Sequence, residues 1–241
     1  MGIQSFNAKY SCLWCKCLSE LRFETTKNWS MFDTTQSART VEEISMFARA
    51  KKGEVVQYGY TSVPLFSVIP VHRVVPDTLH LFLRIADQLV NHLLVELRNR
   101  DNLANTCKSI DIEKCNSMKT FETFVNSLGI EWKFCVEKGS NIITSRDFQG
   151  PELWKIFNSI KLTEIIPGHP KLNHITKLWD DFIGLISKLK LQMEGNEVLT
   201  FQQEAVSWLD LFCKIYMTKN VTPYMYVLVK HIPEALKFHG N

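Results

Sequence analysis

The segment Tyr10-Ser-Cys12-Leu-Trp-Cys15-Lys-Cys17 sets two thiols across a two-residue knuckle, a spacing from which both thiolates reach one tetrahedral Zn2+. One such pair is half a site, and without the other half these are incidental cysteines in a loop. The remaining ligands would come from His169 and His174, or from His231 with a neighbour. His169 stands between Gly168 and Pro170 in an exposed connection, whereas His231 falls on an apolar helix where a polar ring needs a partner, so residue physics leans to His231. Asp77 and His80 have the types of an acid–base pair, but a capping aspartate followed by a helix-start histidine explains them more simply. The chain has no Gly-rich phosphate loop, no nucleophile elbow and no His-Glu-x-x-His metal helix.

These residues are positioned by elements that the pattern predicts to be mainly helical. The strongest is residues 77–100, where Leu79, Phe82, Leu83, Ala86, Val90, Leu93, Leu94 and Leu97 recur at three and four residues with Arg84, Asp87, Asn91, Glu96 and Arg98 between them. Asp77, after Pro76 and before the apolar run, is the expected N-cap, and it leaves His80 exposed one turn in. A short helix is predicted over 38–50, with Thr40 as cap and Glu43 completing a capping box. Further helices are expected over 112–128 ending at Gly129, from Gly150-Pro151-Glu152 through Ile160, over 172–193, over 201–217, and from Thr222-Pro223 through His231. Residues 130–136 alternate apolar and polar types, 138–141 turn and 142–145 return, which reads as one β-hairpin.

The fold class expected is therefore mainly α: a single helical domain over 1–241 with one small hairpin and a Cys/His zinc-bridged base. Residues 1–36 form its cysteine segment, 37–217 the helical body with the hairpin near 130–145, and 218–241 the closing helix with His231. Hydrophobic residues at 45% and charged residues at 22% exclude a largely disordered chain. No window nears eighteen consecutive apolar residues, and the N-terminal decapeptide lacks the long apolar core of a signal peptide. Clustered thiols without such a signal read as metal ligands in a reducing compartment before they read as disulfides. The net charge of +3 is spread along the chain, which gives a nucleic-acid partner only weak support. The six tryptophans sit mostly at apolar positions of periodic segments, as core residues do.

Three segments line up in order with one family. Tyr10-Ser-Cys12-Leu-Trp-Cys15 resembles the Cys-x-x-Cys half of the zinc site in the catalytic subunit of the V(D)J recombinase and its relatives, the Transib-type DDE transposases. Thr40-Val-Glu-Glu-Ile44 and Pro76-Asp77-Thr-Leu-His80 look like that family's Ser-Val-Glu-Glu-Leu and Ile-Asp-Ala-Leu-His, at similar spacing. The segment from Asn220 to Glu234 is similar to its closing motif, in which two histidines five residues apart complete the zinc site before Val-Pro-Glu.

The resemblance implies that Cys12, Cys15 and His231 are zinc ligands. Tyr226 stands where the family has its other histidine, so the fourth ligand passes to Cys17, His239 or water, and zinc affinity suffers. It also implies that Asp77 and His80 lie near the active site. The family's chemistry needs three carboxylates that hold two Mg2+ ions; two precede the Cys-x-x-Cys, and the third follows the second histidine by more residues than stand here. This chain has no acidic residue before Glu20 or after Glu234. The expectation is a catalytically inert, zinc-stabilised helical scaffold of a transposase-like protein, nuclear by family and in contact with DNA. The alternative is a helical protein–protein interaction module derived from a transposable element, acting through a protein partner or a homodimer. No membrane partner is expected.

Overall fold

In a computed structural model of the chain, residues 8–50, 57–101, 115–136 and 143–239 are described. They form a mainly helical protein with eight α-helices and one two-stranded sheet. The expected start of the second long helix near Ile112 and the turn over 138–141 lie outside those residues. The chain divides into two compact units, one built from the residues up to Leu81 together with those from Gly184 onward, the other from Phe82–Ile183.

In the first unit, α1 (Val41–Ala48) begins where Thr40, in extended backbone, accepts a hydrogen bond from the Glu43 amide through its side chain. The Glu43 carboxylate is drawn to Lys16, at 3.0 Å, and so ties α1 to the cysteine segment. α7 (Asn196–Tyr216) and α8 (Pro223–His239) pack against each other. α7 buries Phe201, Ala205, Trp208, Leu209 and Phe212, and α8 buries Met225, Leu228, Val229 and Ile232. Pro223 opens α8 at a position where its missing N–H is no loss, and Thr222 Oγ1 accepts from the Met225 amide at 3.3 Å. α7 starts at Asn196, five residues before the expected Phe201, because Gly195 adopts a positive φ of 48° and the Glu197 carboxylate takes the Glu194 amide at 3.1 Å.

The chain enters the second unit within α2 (Thr78–Arg100) and leaves it within α6 (Leu172–Lys188). The Asp77 carboxylate caps α2 as expected, accepting from the amides of Leu79 at 2.9 Å and His80 at 3.2 Å. The apolar stripe is differently phased: Leu79 is 58% exposed, while Leu81, Ile85 and Leu89 join Phe82, Ala86, Val90, Leu93 and Leu97 in the core. Leu79 lies about 200° around the helix from Leu81, so the two cannot share a face. α3 (Asn116–Ser127) has no cap from its own preceding residue, Cys115; Asp101 supplies it from the end of α2, accepting from Ser117 and Met118.

β1 (Phe134–Val136) and β2 (Ile143–Ser145) pair antiparallel, with Phe134 opposite Ser145. The strand is shorter than the alternation over 130–136: Ile130 and Trp132 are buried ahead of the ladder, and the Trp132 amide donates to the Asn126 side chain at 3.0 Å instead of to β2. α4 (Gly150–Ser159) is followed by a four-residue helix α5 (Leu162–Ile165) that the pattern did not predict. The core of this unit is aromatic: Phe82 stacks on Trp154 at 4.1 Å between ring centroids, and Phe157 on Trp179 at 4.3 Å. α6 ends at Lys188 rather than 193, where the chain tightens into i−3 turns at Lys190 and Leu191.

The α4 start provides a test. Glu152 accepts from the Gln149 amide at 2.8 Å and pairs with Arg146 at 2.7 Å, and the guanidinium holds its carboxyl below the usual carboxylate range. A depressed folded value means that this stabilisation is fully present above the ordinary carboxylate pKa and is lost as pH falls through the folded one. Glu152→Ala is expected to lower stability by about 1 kcal/mol at pH 7. In urea unfolding, the difference from the parent protein should shrink as pH falls below the ordinary carboxylate range.

Candidate metal centre

The cysteine knuckle is shaped by backbone pairing and by one buried cation. Lys16 N donates to Ser37 O and Arg39 N to Trp14 O, both at 2.9 Å, around an antiparallel bridge between Cys15 and Ala38. Arg39 is 2% exposed, and its Nε donates to the carbonyls of both Cys12, at 2.8 Å, and Cys15, at 3.0 Å. Nη1 reaches the Tyr58 carbonyl at 2.7 Å, and the guanidinium lies over the Tyr60 ring at 4.8 Å from its centroid. The carbonyls at both ends of the two-residue turn are thus gathered by a single planar group. Trp14 Nε1 donates to Val74 O at 2.7 Å and fastens the knuckle to the segment that leads into α2.

α8 brings the histidine. Cys12 Sγ lies 3.3 Å from His231 Nε2, across 219 residues of chain. His231 Nδ1 faces Glu234 Oε2 at 2.8 Å, and the same carboxylate oxygen accepts from the Met31 amide at 3.2 Å. This is the arrangement in which a carboxylate orients a ligating imidazole and presents its other nitrogen. Cys15 Sγ lies 3.2 Å from the Tyr226 hydroxyl. The ligand atoms of Cys12, Cys15 and His231 fall within 4.8 Å of one another, and all three residues are buried. This is the group of His, Cys, Asp and Glu side chains suited to a metal ion among the described residues. Two soft thiolates and an imidazole are a donor set for Zn2+, so the residues present fit the ion that the sequence pattern suggests.

The protonation of the cluster follows from its burial. Burial opposes ionisation of Cys12, yet hydrogen bonding with Cys15 and the charge of His231 outweigh it and pull the Cys12 thiol well below the usual cysteine range. Burial likewise opposes a charged His231, but Cys12 and Glu234 hold its pKa up to about 9. Cys15 is raised by burial and by the neighbouring Cys12, and burial pushes Cys17 up to about 12. The Cys12 thiol and the His231 imidazole thus each favour the charged form of the other. A divalent ion, when bound, would require both cysteines as thiolates and His231 with its Nε2 free of a proton.

The other residues singled out by sequence are placed as follows. Cys17 is buried beside the cluster with its thiol directed to the Leu18 carbonyl at 3.3 Å. His239 is exposed at the end of α8, with Nε2 3.4 Å from the His72 carbonyl oxygen. His169 faces Glu96 at 3.4 Å and His174 is exposed, and neither belongs to the cluster. Asp77 and His80 are exposed and paired, Oδ2 to Nδ1 at 2.7 Å, and that hydrogen bond lowers the Asp77 carboxyl. Both line a cleft of about 410 Å3 whose wall also includes Cys12, Trp14, Pro76 and Pro223, so the dyad and one edge of the thiol cluster share one depression. Sequence reasoning passed over Arg39 and Glu234. Arg39 follows the cysteines by more than twenty residues with no motif to mark it; Glu234 stands three residues after His231, the spacing at which helix side chains meet.

Compared with models of known protein families and with curated proteins, the chain matches none. The metal centre therefore rests on its own geometry. Arg39→Met removes the donor from the buried carbonyls of Cys12 and Cys15 and from the part-buried carbonyl of Tyr58, and is expected to destabilise the protein by about 3 kcal/mol. Arg39→Lys should recover only part of that loss in chemical unfolding, because a single ammonium cannot span the same fork.

Proposed function

We propose that this polypeptide is a catalytically inert, metal-anchored helical scaffold of a transposase-like protein, one that joins the start of the described chain to its end through Cys12, Cys15 and His231 and contacts DNA. The observation that carries the reading is the convergence of the knuckle and α8 on one buried cluster, since the three residues that meet are those the family resemblance names as zinc ligands. In that role Cys12, Cys15 and His231 hold the ion and Glu234 fixes the tautomer of His231. The ion, when bound, supplies a structural cross-link. The family's three carboxylates have no counterparts in the motifs matched here, so we assign this polypeptide by itself no strand cleavage or transfer.

A second reading, a protein-interaction module, draws support from a different place. Between the cysteine segment and α2, Leu65 and Val68 are 85% and 88% exposed, and Phe66 and Val75 are also largely exposed. Such a run of large apolar side chains in contact with water marks interaction surfaces more often than it marks chance.

Native mass spectrometry tests the first reading. About one zinc per chain is expected for the parent protein, lost in both Cys12→Ser and His231→Ala. Absence of zinc from a folded parent protein overturns it. Binding to duplex DNA that weakens steeply with salt is expected alongside, whereas a protein partner retained at high salt with no DNA affinity favours the second reading.

A further inference from the structure

We infer that the phenol oxygen of Tyr226 is the fourth donor of the Cys12, Cys15 and His231 site, so that the centre is closed and structural rather than open to a substrate. The inference rests on the metal-binding reading above and goes beyond it in naming a ligand. Around a tetrahedral ion with metal–sulfur bonds near 2.3 Å and metal–nitrogen or metal–oxygen bonds near 2.0 Å, adjacent donors stand about 3.5 Å apart. The cluster contains two contacts of nearly that length, Cys12 Sγ to His231 Nε2 at 3.3 Å and Cys15 Sγ to Tyr226 Oη at 3.2 Å. Each knuckle sulfur therefore meets one polar atom from α8. The Tyr226 and His231 rings lie 5.3 Å apart between centroids and almost perpendicular, and their polar atoms meet the two thiols of one knuckle.

The alternatives fit less well. Cys17 is close by but is not one of the mutually close ligands, and its thiol is directed to a backbone carbonyl. His239 is exposed against the His72 carbonyl. A water-filled fourth position needs access, yet Cys15 and His231 have no exposed surface and Tyr226 is 3% exposed, with Cys12 alone reaching the cleft. Two thiolates and a phenolate around a divalent ion leave one net negative charge. The Arg39 guanidinium holds the carbonyls of both cysteines, and Arg22 lies in electrostatic contact with Cys17, Cys12 and Tyr226. On coordination the phenol proton leaves to solvent, and the oxygen lone pair it frees forms the bond to the metal.

The test uses the full chain stripped of metal and titrated with Zn2+ and with Co2+. Zn2+ should elicit the near-ultraviolet difference band of a tyrosinate in the parent protein and none in Tyr226→Phe, and the variant should release about one proton fewer per metal bound. Tyr226→Phe should weaken Zn2+ by more than about tenfold and alter the visible Co2+ spectrum as water replaces the phenolate. Tyr226→His should retain a tetrahedral Co2+ spectrum with the oxygen donor exchanged for nitrogen. If the parent protein binds metal with no tyrosinate band, the inference falls and the metal-binding reading stands. Unchanged affinity and spectrum in Tyr226→Phe likewise make Tyr226 only a hydrogen-bond donor to Cys15. If the parent protein takes up neither ion, the metal-binding reading itself falls. The parent protein's own difference band keeps the test decisive even where the phenylalanine variant does not fold.

Discussion

The meeting of Cys12 and His231 across 219 residues is the constraint on which the first unit depends. Closing a loop of that length costs on the order of 5 kcal/mol in chain entropy. A charge-assisted hydrogen bond returns about 1.5–3 kcal/mol, so this contact does not close the chain by itself. Other contacts between the two segments add to the closure: the Met31 amide donates to Glu234 at 3.2 Å, Lys230 donates to the Lys27 carbonyl at 3.1 Å, and Phe32 lies 4.8 Å from Phe238 between ring centroids. A structural zinc site, at about 10–16 kcal/mol, would exceed the closure term alone. The cluster is thus placed where a metal has the most to stabilise, at the junction of the two chain segments that make up the unit.

Burying that junction requires the surrounding charges to be arranged in advance. Arg39 is fully committed to backbone carbonyls, which removes the desolvation penalty that a buried, unsatisfied guanidinium would carry. Glu234 plays the matching part on α8: it orients His231 and also caps the Met31 amide, so one carboxylate couples the ligand helix to the loop after the knuckle. Pro233 sits inside α8 between these two residues and withholds one amide from the helix ladder, while His231 and Glu234, three residues apart, stay on one face.

The cleft beside Cys12 places Asp77 and His80 in a setting unlike that of the thiol cluster. They are exposed, and their mutual hydrogen bond keeps the imidazole Nδ1 engaged while the Asp77 second oxygen caps α2. Capping explains the aspartate, and the aspartate explains the histidine's orientation. Their position at the rim follows from where α2 begins, and this start is fastened to the knuckle by the hydrogen bond from Trp14 to Val74.

What the sequence by itself determined was everything that local chemistry decides. Thr40, Asp77, Pro151 and Thr222-Pro223 each start a helix where they were expected to, because a cap acts on amides two or three residues away. The hairpin and the helical class were legible for the same reason: their periods are properties of neighbouring residues. Tertiary structure decided the rest. Asp101 caps α3 from beyond its own flank, Leu81 rather than Leu79 faces the core, and α6 stops short of its apolar pattern. His231, rather than His169 or His174, meets the cysteines because α8 alone carries its histidine to the knuckle. The knuckle spacing announced half a metal site, and the three-residue step from His231 to Glu234 carried a signal for the orienter, but the Arg39 clamp comes from a segment whose distance along the chain carries no trace of its proximity in space, and the contact of Tyr226 with Cys15 spans 211 residues.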